Sequence, residues 1–142
     1  MSTIKALEVI LADSYALYLK TQNYHWNVEG LEFRSLHLLF EGQYEDLAEG
    51  IDELAERIRT LKSKVSPLSD LMKHTSIKEP NINSNSTAML KDLVHDQEII
   101  IATLYKGVKI SQEEGDEGTA DMLINRLKVH EKNKWMLSSS IR

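Results

Sequence analysis

The sequence predicts an all-α chain: a bundle of four long helices, with one long crossover between the second and third that carries a short extra helix. Three observations predict it. Apolar residues recur at helical spacing in four blocks. Residues that turn and pleat a sheet are scarce, with 6 Gly, 2 Pro and 6 % aromatics. One connection is far longer than the others. At 142 residues and 42 % hydrophobic, residues 1–142 suit a single domain around one core.

The first helix is predicted from about Thr3 to Val28, with Ile4, Leu7, Leu11, Tyr15 and Tyr18 on one stripe and Gly30 as the left-handed stop. The second runs from about Glu32 to Lys62, carrying Leu36, Phe40, Tyr44, Leu47, Ile51, Leu54, Ile58 and Leu61 within one core-facing arc. Between Ser63 and Thr87 the periodicity fades. Ser66-Pro67 reads there as a cap and first helical residue, giving a short helix through about Lys73, and Pro80 with the polar run to Thr87 reads as loop and cap. The third long helix covers about Ala88 to Glu113 (Leu90, Leu93, Val94, Ile101, Leu104, Val108) and stops at Gly115. The fourth covers about Glu117 to Ile141 through Leu123, Leu127 and Met136. Short links make helices one and two, and three and four, antiparallel hairpins. The long middle link then crosses over along the bundle, the pattern of ferritin-like folds.

Several function classes fall away on composition. There is no cysteine, which removes disulfides, thiolate nucleophiles and cysteine-based metal sites and is compatible with a reducing cytoplasm. The first residues lead straight into an amphipathic pattern broken by Asp13 and Lys20, unlike a signal peptide. No apolar run approaches the roughly 20 residues that span a bilayer. A net charge of −5 favours cations over nucleic acid as partners.

His25 and His37 are centred on position 31, beside Gly30, so a hairpin bend there sets both imidazoles at one height. Glu41 follows His37 by one turn on the same face. Further on, Asp52 and Glu56 repeat the spacing of four. At about 100° per residue, Glu41, Asp52 and Glu56 lie about 40°, 60° and 100° around from His37. All four share one side, yet Asp52 is about 22 Å beyond His37 at ~1.5 Å per residue. One chain cannot bring both pairs to one ion. The mean of the four positions is 46.5. A two-fold pairing of second helices near Asp46 and Leu47, with small Ala48 and Ala55 beside it, lays His37 and Glu41 of one over Asp52 and Glu56 of the other. Imidazoles and carboxylates without sulfur suit iron, manganese or zinc, and open positions suit redox iron. The alternative is a solvated acidic face, since Glu45, Asp46, Glu49 and Glu53 lie on the same helix.

The stretch Lys20 to Gly30 (KTQNYHWNVEG) resembles the first-helix signature of the Dps proteins (DNA-binding proteins from starved cells), or mini-ferritins. Leu36-His37 with Asp52 to Ile58 (DELAERI) resembles their second-helix signature, and the spacing His-x11-His-x3-acid-x10-Asp-x3-Glu is matched in full. Gly115 to Asp121 and Trp135 to Leu137 extend the likeness over essentially the whole chain. The resemblance implies a hollow homododecamer built from two-fold dimers. It implies ferroxidase sites at the dimer interface that oxidise Fe(II), preferentially with hydrogen peroxide, and a ferric mineral stored inside. That chemistry serves iron homeostasis and protection from oxidative stress in the cytoplasm.

Carried over by position, His25, His37 and Glu41 come from one subunit and Asp52 and Glu56 from its mate. Many members have Asp where this chain has Glu41, which implies changed affinity or geometry. Trp26 matches an aromatic that guards against stray one-electron oxidation; packing alone is the alternative. Glu117 and Asp121 match acidic positions of the iron-entry pores, and on their own would be ordinary acids at a helix start. Tight DNA binding is not carried over, since Met1 to Thr3 and Ser138 to Arg142 supply no Lys-rich tail; weak, salt-sensitive contacts stay open. A structural or DNA-compacting shell with weak ferroxidase activity is the alternative function. Asp92-x-x-His95 looks like a fragment of the motif in larger ferritins, with inter-helix hydrogen bonding as the plainer reading. His74 and His130 are expected to face solvent.

Overall fold

A computed structural model describes residues 1–141, so Arg142 of the C-terminal segment weighed above lies outside the described residues. The elements are α1 (Thr3–Asn27), α2 (Phe33–Thr60), α3 (Leu68–Leu71) running into a 3-10 turn (Met72–His74), α4 (Ser86–Glu113) and α5 (Glu117–Ser139). The predicted all-α, four-helix bundle with a short extra helix in its crossover is the architecture observed, and no strand occurs among the described residues.

Hydrogen bonds fix the directions. Thr75, just past the 3-10 turn, donates to Asp13 in mid-α1, and the Asn81 amide donates to Tyr24 near the end of α1. The crossover therefore climbs alongside α1. Helix α4 then descends antiparallel to α1, with Thr103 beside Asp13 and Glu114 beside Thr3. Thus α2 and α4 run parallel, as a long crossover requires.

Local chemistry sets the ends. Asn85 accepts from the Ala88 amide and starts α4 two residues earlier than the expected Ala88; Thr87 is already helical, so the cap is Asn85. Helix α3 begins at Leu68 with Pro67 itself at the cap, one place later than Ser66-Pro67 predicts, because Pro67 is extended (φ −59°, ψ 156°). The paired closing bonds of α4, Asp116 N–H to the Ser111 carbonyl and Gly115 N–H to that of Gln112, need the positive φ (+75°) that Gly115 supplies. Gly30 departs from expectation: Val28 ends α1 in an extended conformation, and Gly30, at φ +116°, serves the turn instead, accepting from the Phe33 amide.

The core follows the predicted stripes. Leu36, Phe40, Leu47, Leu54 and Ile58 of α2 are buried against Leu7, Leu11, Leu90, Leu93, Leu104 and Leu123. Met136 is a correction. It lies largely outside the core, and its neighbour Leu137 takes the buried place. At Gly107 an added Cβ would lie 2.7 Å from Ile10 Cδ1 and 3.0 Å from Leu123 Cδ1, so the missing side chain is what lets α1, α4 and α5 close together. Among the described residues no helix is long and apolar enough to cross a membrane.

Candidate metal centre

Residues of the last turn of α1 and the first three turns of α2 form the site. The hairpin sets His25 and His37 face to face, ring centroids 3.7 Å apart and planes 15° from parallel. Each imidazole is held by the other residue's backbone: His25 Nδ1 lies 2.7 Å from the His37 carbonyl oxygen, and His37 Nδ1 lies 2.8 Å from that of His25. A carbonyl can only accept, so both Nδ1 atoms carry a proton, and the neutral tautomer this selects is the one that offers its lone pair at Nε2. This is the arrangement by which an outer hydrogen bond fixes the tautomer of a ligating histidine.

Glu41 completes the cluster. Its Oε1 is 3.8 Å from His25 Nε2, and one ligand atom from each of His25, His37 and Glu41 falls within 4.8 Å of the others. It is the one convergence of three or more such side chains found among the described residues. His25 is 5 % exposed, and about two-fifths of the Glu41 side chain is open to solvent (39 %). Two imidazole nitrogens and a carboxylate fit a divalent first-row metal and leave coordination positions free on the open side. Phe33 stacks on His37 at 5.0 Å, and Tyr44 meets His25 edge-on at 5.2 Å, so the imidazoles are held in an aromatic frame.

The other predicted site residues lie apart. Asp52 and Glu56 are exposed farther along α2 and do not join the cluster within one chain, consistent with the length argument. Glu117 and Asp121 are exposed in the first turns of α5. Trp26 is 62 % exposed, at the rim of a cleft it shares with Leu19, Ile77 and Pro80.

Asp92 is an inter-helix anchor. It accepts from Lys20 Nζ (3.0 Å) and from the Tyr24 hydroxyl (2.6 Å), while His95 faces solvent. Lys20, only 2 % exposed, also pairs with the buried Asp96 at 2.8 Å. Burial pushes the Asp96 carboxyl above the ordinary carboxylate range, opposed by Lys20. Burial, then the hydrogen bond to Asp92, pushes the Tyr24 phenol up to about 12. This network clamps the end of α1 one residue before His25.

His130 is a second correction. It is 1 % exposed, not solvent-facing; its Nδ1 donates to Gln97 Oε1 at 2.7 Å and its Nε2 accepts from Arg126 at 3.3 Å. Burial, reinforced by the Arg126 charge, brings its pKa down to about 3 and keeps it neutral. With Lys20 and Arg126 both in the interior, the bundle centre already holds two cations, which disfavours a metal ion there. His74 is exposed, as expected.

The whole chain matches proteins of one kind. The family model described as a ferritin-like domain matches residues 4–142. An uncharacterised low-temperature-induced protein of Nostoc sp. is 43 % identical over 141 residues, covering 97 % of this chain and 79 % of that protein. The DNA protection during starvation protein 2 of Bacillus anthracis is 36 % identical, covering 94 % of this chain and 92 % of the relative. The crystal structure of a Dps protein from Vibrio cholerae, described as a member of a broad superfamily of ferritin-like diiron-carboxylate proteins, superposes with a TM-score of 0.91 at 36 % identity, over 96 % of this chain and 87 % of the other. Fold, crossover and sequence agree: this chain belongs to the Dps family within the ferritin-like proteins.

Proposed function

We propose that this protein oxidises Fe(II), preferentially with hydrogen peroxide, at sites shared between two subunits, and stores the ferric product inside a dodecameric shell. Membership of the Dps family supports iron storage or DNA protection in general. The observation that carries the iron reading is the reciprocal backbone clasp of His25 and His37, which presents two Nε2 lone pairs beside Glu41. Ordinary packing does not require both imidazoles to be fixed in the metal-binding tautomer.

In this reading the partner subunit's Asp52 and Glu56 close the open side. Their exposure here and their fixed distance from His37 along α2 support a ligand set completed by isologous pairing. The acidic run of α2 draws cations toward the site, and Glu117 and Asp121 line the entry pores. Trp26 lies beside the site as an aromatic guard. Glu41, one methylene longer than Asp, still reaches the imidazole pair.

Stopped-flow measurement of Fe(II) oxidation by peroxide, on wild type and on His25→Ala/His37→Ala, tests the site. Loss of the fast phase is expected, and equal rates would overturn the assignment. Relatives named for DNA protection favour a second reading, a DNA-compacting shell with weak ferroxidase activity. Gel shifts across a salt series measure it, and binding that is weak and lost with modest salt is expected here.

A further inference from the structure

We propose that Tyr44, Tyr18 and Tyr15 form an electron relay in the α1–α2 seam, with Tyr44 donating to the metal centre through His25. The relay rests on the reading of that centre as a site of ferrous iron oxidation by peroxide.

The rings form a continuous series. His25 meets Tyr44 at 5.2 Å between centroids, Tyr44 meets Tyr18 at 5.8 Å, and Tyr18 meets Tyr15 at 6.0 Å, each edge-on. Helical spacing lays them in line. Tyr44 follows His37 by seven residues and Tyr18 precedes His25 by seven, so each is two turns from its histidine on the same face of its helix. Tyr15 is one further turn back. All three are half-buried, so the series is shielded without being sealed from water that takes up protons. Packing alone would be served as well by leucine or phenylalanine at these places. Three oxidisable phenols in unbroken contact, starting on a ligand, are the observation.

The need arises from electron count. Peroxide takes two electrons to become water, and one ferrous ion supplies one. If a second ion is late, a one-electron oxidant is left among the ligands. With the relay, the first ferrous ion and Tyr44 each give one electron while the O–O bond breaks: Fe2+ + Tyr–OH + H2O2 + H+ → Fe3+ + Tyr–O• + 2 H2O. The phenolic proton and one solvent proton go to the two waters. Tyr18 and then Tyr15 pass an electron and a proton inward, moving the radical away from the ligands. The next ferrous ion restores the phenol: Fe2+ + Tyr–O• + H+ → Fe3+ + Tyr–OH. Two ions arriving one after the other thereby complete one two-electron reduction.

The test uses the assembled protein, loaded with one Fe(II) per subunit, mixed with one equivalent of hydrogen peroxide and freeze-quenched for electron paramagnetic resonance. A tyrosyl radical is expected in wild type. Tyr44→Phe keeps the ring and its packing and should lose the radical, with oxygen addition to His25 or His37 rising in peptide mass maps. Cobalt(II) titration of both proteins checks that the ligands remain competent. Tyr105→Phe, on an exposed ring of α4, should keep the radical. A radical undiminished in Tyr44→Phe, or lost instead in Tyr24→Phe, overturns the relay while leaving the iron site standing. Wild type that leaves ferrous iron and peroxide unreacted overturns the iron reading, and the relay with it.

Discussion

The proposed sharing of the site between two subunits makes a quantitative prediction for mixed assemblies. His37→Ala removes one nitrogen ligand and leaves the rest of the cluster in place, because His25 is oriented by the His37 backbone carbonyl, which alanine keeps. Asp52→Ala removes an exposed carboxylate that touches nothing in its own cluster. Each variant alone should be inactive, since every site in the homo-oligomer lacks a ligand. In a mixed dimer both lesions fall in the same site, and the other site is intact. Random pairing at equal expression makes half of the dimers mixed, so about one quarter of all sites should be restored under two-fold symmetry. Co-expression with two tags, sequential purification and stopped-flow iron oxidation measure the fraction. Recovery no greater than that of either parent would refute the shared site.

Other outcomes follow from the packing. Lys20→Met should lower the thermal midpoint, since breaking a buried ion pair from one side costs about 3–5 kcal/mol, here at Asp96. Because the folded pKa of Asp96 is raised, its contribution is full below the ordinary 3.8 and is lost as pH rises through the folded value, so the variant's deficit should shrink on acidification in thermal melts. His130 has the opposite sign: its folded pKa, down to about 3, lies below 6.5, so wild type should lose stability as pH falls between these values, and His130→Gln should lose less across the same melts. Gly107→Ala should destabilise, because overpacking of about 1–3 kcal/mol against Ile10 and Leu123 exceeds the ~1 kcal/mol gained in helix propensity; a higher midpoint by calorimetry would contradict this.

What the sequence reveals, and what it hides, divides along polarity. The α2 stripe was legible because Leu36, Phe40, Leu47, Leu54 and Ile58 are both apolar and buried. The His25, His37 and Glu41 cluster was legible because a short hairpin leaves few ways to place residues equidistant from its turn. His130 and Lys20 were not, because periodicity treats polarity as a sign of exposure, and these residues are buried through partners on other helices. A signal was available: Lys20 and Tyr24 repeat at four residues, as do Asp92 and Asp96, and antiparallel helices match such pairs. Met136 and Leu137 could not be separated, since two adjacent apolar residues near a helix end fit the stripe almost equally well. The Tyr15, Tyr18 and Tyr44 contacts depend on ring orientation, which spacing does not encode.

In the proposed storage role, the backbone clasp of the two histidines has a consequence for filling and emptying. Its bonds join α1 to α2 through Nδ1 and backbone carbonyls and leave Nε2 out of the fold's own hydrogen bonding. The hairpin is therefore shaped before any metal arrives, unlike small domains in which metal binding and folding are one event, and a bound ion would add only its own linkage stabilisation to a fold already formed. On that reading, affinity can be tuned at position 41 or at a partner's carboxylates without undoing the bonds that shape the empty hairpin. A reservoir whose walls depended on its contents would collapse on being drained.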